Sequence, residues 1–365
     1  MSTSTSNSAN DGRLPTNVKP THYNLTIRTD LEKLVFEGFV KVSLDVIEST
    51  DTIVLNSSGL DLGTAAVLLE DSRVREIEQV TFEKEKRVAF KFPAEFHAGS
   101  KVQLYLGFSG KLLDNQVGYY LSSWEDEGRT KHYALTQFAP IDARRAFPCW
   151  DEPELKATYA ITLISRIGST NLSNMPVLDE KPFSVQEHSE FSDSFKNLDS
   201  AWKITRFETT PLMSSYIVAY ANGEFSHLET SAKLPLSGMT VPLRMYATPD
   251  LIHQAQFALE LKSKVLPLCE KLFDVEYPLP KLDTLVVSNF GGAMENWGLI
   301  TGRTRSFLLD PKSTDMWAKK LVIRIHSHEI AHMWFGNITT MKWWDNLYLN
   351  EGKFLLLPMA FALRL

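Results

Sequence analysis

Cysteine is nearly absent from this chain: only Cys149 and Cys269 occur among 365 residues. Two thiols cannot supply the disulfide framework of a small secreted domain, so a reducing compartment, cytoplasmic by default, is the expected setting. Long apolar runs are missing as well. The longest, from Phe354 to Leu363 and interrupted by Pro358, is far too short to cross a bilayer, so no membrane insertion is expected. The opening MSTSTSNSANDG has no apolar core, so no signal peptide is expected, and residues 1–13 read as a disordered tail. Positive charge is in deficit, 38 Lys and Arg against 44 Asp and Glu, for a net charge of −6. That balance argues against nucleic acid or an anionic membrane as the main partner. Asn24, Asn56, Asn171 and Asn337 each begin a glycosylation sequon, but without secretion these read as chance matches.

A chain of this length has room for two or three domains with real cores. Val40, Val42, Leu44 and Val46 alternate with Lys41, Ser43 and Asp45, the period of a half-buried strand. Val102, Leu104, Leu106 and Phe108 repeat it, and residues 159–164 and 216–221 also read as strands. Many short strands with polar turns predict an antiparallel all-β domain over residues 14–223. The Ser/Asp-rich segment 185–200 reads as a surface loop. From residue 224 the pattern becomes mixed: strands at 241–247 and 284–288, and a helix over 251–273 that Pro267 should kink or break. A second helix should start near Ser313 or Thr314 and run through Trp317, Leu321, Ile325, His328 and His332 toward Gly336.

That second helix carries the most informative motif, His328-Glu329-Ile330-Ala331-His332. Histidines four apart on a helix project from one face, so both imidazoles reach one ion. Glu329 lies beside them, placed to take a proton from an attacking water. Glu351, nineteen residues after His332, is the right kind of third ligand. Zinc in catalytic sites takes three protein ligands and keeps a fourth position open. His326 points away from the ligand face and reads as lying behind the site or on the surface. Gly291 to Gly298 forms a second motif: its small residues let backbone approach a ligand, and Glu295 offers a carboxylate to a cation. The run from Thr136 to Pro153 is dense in charge and aromatics and reads as an interdomain corner held by Arg–Asp pairs. Within it Cys149 reads as a structural thiol.

Together RLPTNVKPTHYNL, DARRAFPCWDEP, YPLP, GGAMENWGLIT, HEIAHMWFGN and MKWWDNLYLNEG, spread from Leu14 to Gly352, resemble the zinc aminopeptidases of the gluzincin class. The similarity is greatest to the cytosolic, puromycin-sensitive branch and its fungal relatives. The resemblance implies a mixed fold: a saddle-like antiparallel all-β N-terminal domain, then a thermolysin-like α/β catalytic domain, incomplete here, over residues 224–352. It implies removal of single residues from peptides with a free N-terminus, with one Zn2+ held by His328, His332 and Glu351 and with Glu329 as general base. Glu295, in the substrate-binding stretch Gly292-Ala293-Met294-Glu295-Asn296, would hold the substrate's α-ammonium. The backbone of Gly292 and Ala293 would align the peptide like an added strand, and Gln137 would line the pocket for the first side chain.

The chain also departs from that pattern. Ala139 stands where the family has a second amine-binding Glu. No Tyr follows Glu351, whereas the family places there a donor to the tetrahedral intermediate, worth about 10²–10³ in rate. Residues 353–365 form an apolar tail unlike the family's amphipathic helix, and Met333, Lys342 and Gly302 read as drift. Without the rest of the catalytic domain, apolar faces of the site helices should be left uncovered, with poor solubility. The alternative these departures imply is an inactive family member that binds zinc or a partner.

Overall fold

Alternation in the sequence becomes alternation of burial in the first half of the molecule. The computed structural model describes residues 12–70, 72–184, 195, 198–312 and 315–352. Most of the expected N-terminal tail and of the 185–200 loop, both candidate caps Ser313 and Thr314, and the apolar tail 353–365 lie outside them. In the strand Val35–Val46 every second residue is buried. It pairs antiparallel with Lys101–Lys111 in a register that sets Val40 against Leu106 and Val42 against Leu104. A one-residue slip would turn that whole apolar set to solvent, so the pattern itself specifies the register. These strands lie in an eight-stranded sheet centred on Val18–Asp30, which is antiparallel to Val35–Val46 and parallel to Thr158–Arg166. Sheets of three and four strands complete the β-rich half, whose last strand is Tyr220–Gly223.

The corner motif holds two ion pairs, the first of them buried. Arg144 Nε meets Asp151 Oδ2 at 2.9 Å, and Arg145 meets Asp142 at 2.6 Å. Cys149 beside them is fully buried and unpaired, and burial pushes its thiol up, as suits a structural group. Asp151 Oδ1 accepts from Ser215 Oγ at 2.8 Å, and Ser214 Oγ donates to the Pro153 carbonyl at 2.6 Å. These bonds explain a correction to the strand expected over residues 216–221. Its front half is a single 3-10 turn, Ser215–Ile217, because the two serine hydroxyls satisfy a local turn in competition with a sheet ladder. Three of the four sequon asparagines, Asn56, Asn171 and Asn337, are buried, which leaves no room for a glycan.

From Ser226 the chain enters a five-stranded mixed sheet, ordered Ser226–Lys233, Thr240–Ala247, Leu282–Val287, Leu299–Arg303 and Ala293–Met294. Its central strand Leu282–Val287 is buried throughout, as expected for parallel pairing on both sides. The helix Gln256–Phe273 begins later than its periodicity suggests, after a 3-10 turn at Ile252–Gln254, and continues unbroken through Pro267. It packs against the helix Met316–Ala331, whose N-cap is Asp315, with its side chain accepting from the Trp317 N–H at 2.8 Å.

The two halves are stitched close to the candidate site. Asn174 Nδ2 donates to both the Ile217 and Trp297 carbonyls at 2.9 Å. Lys281 Nζ donates to Ser173 O and Gly298 O at 2.8 Å. Gly298 has φ +82°, and a Cβ there would stand 2.3 Å from the Asn174 carbonyl, so glycine is required by both conformation and contact. Trp317 on the motif helix and Tyr348 beside Glu351 are 81% and 65% exposed, so apolar surface lies open on both helices that carry the motif.

Candidate metal centre

Three donor groups converge at the C-terminal end of the helix Met316–Ala331. His328 lies in its last turn, His332 caps it, and Glu351 comes from the short helix Tyr348–Glu351. The two Nε2 atoms are 3.0 Å apart, and Glu351 Oε2 lies 3.4 Å from His328 Nε2 and 3.6 Å from His332 Nε2. A tetrahedral zinc with ligand bonds of about 2.0–2.2 Å has edges of about 3.3–3.6 Å between its ligands. Both edges to Glu351 have that length and the edge between the histidines is shorter, and the set has the two-nitrogen, one-carboxylate chemistry of a zinc site with one open position. His332 Nδ1 donates to the Phe335 carbonyl at 3.0 Å, which fixes the ring with Nε2 turned toward His328 and Glu351, so Nε2 is the atom that would ligate a cation.

Electrostatics concentrate at the same place. Burial alone would lower His332, but Glu295, Glu351 and Glu329 outweigh it and raise the imidazole to about 10. Glu329 is pushed up to about 8 by burial, reinforced by Glu295 and Glu351 and opposed by His332. Hydrogen bonds from His328 and His332 hold Glu351 well below the usual carboxylate range. One consequence is measurable. With its pKa raised, His332 keeps a proton at neutral pH that an entering metal must displace, so affinity falls as pH falls. Binding should release about one proton and strengthen roughly tenfold per unit between about pH 7 and 9. Calorimetry in buffers of different ionisation enthalpy checks this; an affinity flat over that range contradicts it.

Glu295 belongs to the cluster, since its carboxylate acts on His332 and on Glu329. Its loop is tied to the turn after the motif helix, where Asn337 Nδ2 donates to the Glu295 carbonyl at 2.9 Å. The neighbouring Ala293–Met294 is the edge strand of the five-stranded sheet. Among the described residues other than its two chain neighbours, none has an atom within 4 Å of where a Gly292 Cβ would stand. The Met294 side chain is packed into the core, and the buried Asn296 donates to Thr301 Oγ1 at 3.3 Å, so these two shape the loop from inside. Gln137 ends the strand Arg129–Gln137 with its amide 3.5 Å from the Ala139 carbonyl. Its sheet partner is Gly118, and Gln116 two residues earlier has its Oε1 3.7 Å from where a Gly291 Cβ would stand.

Of the two places read for His326, behind the site or on the surface, burial excludes the second. Its ring lies 4.5 Å from that of Phe307, and burial with the nearby Lys262 lowers it to about 3. The C-terminal half of this helix is enclosed on both faces, so pointing away from the ligands does not mean pointing to water. The helix expected to run toward Gly336 ends at Ala331, and the turn that follows it was given no role from the sequence. Gly336 takes φ +114° there, beside the His332 ring.

Residues 19–217 match the Peptidase M1 N-terminal domain, and residues 257–360 match the Peptidase family M1 domain. The chain belongs to peptidase family M1. Over 345 residues this M1 chain is 40% identical to Aminopeptidase 2, mitochondrial, of Saccharomyces cerevisiae, covering 93% of itself and 34% of that protein. It is 38% identical to Aminopeptidase M1 of Arabidopsis thaliana and 37% identical to Puromycin-sensitive aminopeptidase of Caenorhabditis elegans, covering 37% and 34% of their lengths and 93% of itself in each case. The M1 chain thus spans about a third of the length of the curated relatives it matches. Its fold agrees with the M1 layout, β-sheets first and a smaller α/β region after.

Proposed function

We propose that this M1 chain acts as a zinc-dependent aminopeptidase that removes single residues from peptides with a free N-terminus. The observation that carries the reading is the carboxylate of Glu295, within electrostatic reach of both His332 and Glu329. An ammonium anchored there lies a short, fixed distance from the metal ligands, so only the first peptide bond reaches them. The edge strand Ala293–Met294 offers unsatisfied backbone groups to an extended peptide, which would add as one more strand. Glu329 takes the proton of the attacking water and passes it to the leaving amine. Zinc held by His328, His332 and Glu351 would supply a Lewis acid to polarise the scissile carbonyl and acidify water. Gln137 lines the pocket for the first side chain. The relatives' names support the reading, since each contains the word aminopeptidase.

A cytoplasmic setting belongs to the same reading. Both cysteines are buried and unpaired, as a reducing compartment leaves them. No helix among the described residues is long and apolar enough to cross a membrane.

The test compares a fluorogenic aminoacyl amide with its N-acetylated form, using the zinc-loaded chain. Cleavage confined to the free amine is expected; equal cleavage of both contradicts the assignment of Glu295. Ala139 gives a second test. A carboxylate at this half-buried position would add a charged hydrogen bond to the substrate amine, worth about 1.5–3 kcal/mol. Ala139→Glu should therefore raise kcat/KM about ten- to a hundredfold. An unchanged value would show that the amine does not lie near this position.

A further inference from the structure

Four consecutive carbonyls, Phe335 to Ile338, line the turn that leaves the motif helix, and each accepts a hydrogen bond. The Phe335 carbonyl holds His332 Nδ1 at 3.0 Å. The other three face the N-terminal half of the molecule. Tyr216 Oη donates to Gly336 O at 2.9 Å, and Lys156 Nζ donates to Asn337 O at 3.3 Å and Ile338 O at 3.1 Å. We propose that Tyr216 and Lys156 are positioning residues, through which the N-terminal half orients His332 and Glu351 for metal binding. This rests on the metal-site reading above and extends it: the centre is completed from outside its own domain.

The contacts around Tyr216 fit that role. Its buried ring packs edge-on against Trp344 with centroids 5.2 Å apart, and its hydroxyl lies beside the side-chain amide of Asn350, the residue preceding Glu351. One buried hydroxyl thus touches the turn that holds the second ligand and the segment that presents the third. Behind it, Arg144 pairs with Asp151 and Asp151 accepts from Ser215, which is joined to Tyr216 through the backbone. The corner motif is therefore connected to the metal site through the 3-10 turn. Lys156 is more than half-buried and burial lowers its pKa, a cost that the two carbonyls offset. Gly336, held at φ +114°, lets the turn bend sharply, and its carbonyl accepts from Thr340 Oγ1 within the turn as well as from Tyr216 across it.

Tyr216→Phe removes the donor and keeps the ring on Trp344; Lys156→Met keeps the aliphatic stem. Zinc Kd is measured by competition with a chromogenic chelator, the cobalt-substituted protein is read by its visible d–d bands, and the metal-free protein is melted in parallel. Each substitution should raise the zinc Kd by about 10- to 100-fold, the pair by more, with a shifted and weakened cobalt spectrum. Tyr120→Phe removes another buried hydroxyl, one with no hydrogen-bond partner among the described residues, and should leave Kd and spectrum unchanged. If Tyr216→Phe does not fold, Lys156→Met alone carries the test. A double variant that matches the wild type in zinc Kd and cobalt spectrum overturns the inference. A wild-type chain that binds no zinc overturns the metal-site reading itself, and the two failures are told apart by that control.

Discussion

Glu329→Gln in the zinc-loaded chain should lower kcat by about 10²–10⁴-fold, the usual contribution of a positioned general base. Gln keeps the size of the side chain and cannot accept the proton. Glu329 is buried one residue from His328 and is not part of the donor triangle, so zinc content should stay at one per chain. The separation of effects is the informative part. A variant that loses zinc along with activity would make Glu329 a structural prop for the ligands. A variant that keeps full activity would remove it from the chemistry. In the metal-free state this carboxyl is pushed up to about 8 by burial and by Glu295 and Glu351. Truncation by Ala would disturb that balance more than Gln does, which makes Gln the cleaner substitution.

Glu295→Gln should cost nearly as much, by a different route. In the proposed reading the partner of Glu295 is the substrate's ammonium, and truncating one member of a desolvated charge pair typically costs about 2–5 kcal/mol. That corresponds to a fall in kcat/KM of roughly 30-fold or more. The loss should fall on peptides with a free amine, so discrimination against the N-acetylated amide should narrow in the same experiment. The Glu295 backbone accepts from Asn337 whatever its side chain, so the loop should keep its place in the variant. Undiminished discrimination would assign amine recognition to another group.

Much of this architecture was legible in the sequence where a short-range period carries the information. Val40 to Val46 alternate in type and in burial, and both motif histidines fall on one helix end. The pairing of Glu351 with them was legible from ligand chemistry and spacing, and the three donor atoms do meet. Tyr216 was not. Tyr216, Val218 and Tyr220 satisfy the period of a strand, but the turn is decided by Asp151 and Pro153, more than sixty residues earlier. His326 was left between two places for a related reason: a helical wheel gives direction, and whether that direction meets water depends on Phe307 packing from another segment. Pro267 inside an intact helix shows the same limit, since tertiary packing offsets the hydrogen bond it removes.

The central claim is that this chain holds one zinc between His328, His332 and Glu351 and uses it to cleave at a free N-terminus. The most direct measurement is hydrolysis of fluorogenic aminoacyl amides by the purified chain, before and after removal of metal by a chelator and re-addition of zinc. The expected result is turnover that chelation abolishes and stoichiometric zinc restores, with His332→Ala silent throughout. Turnover indifferent to the chelator, or retained in His332→Ala, would contradict the account, as would a zinc-replete chain with no turnover at all.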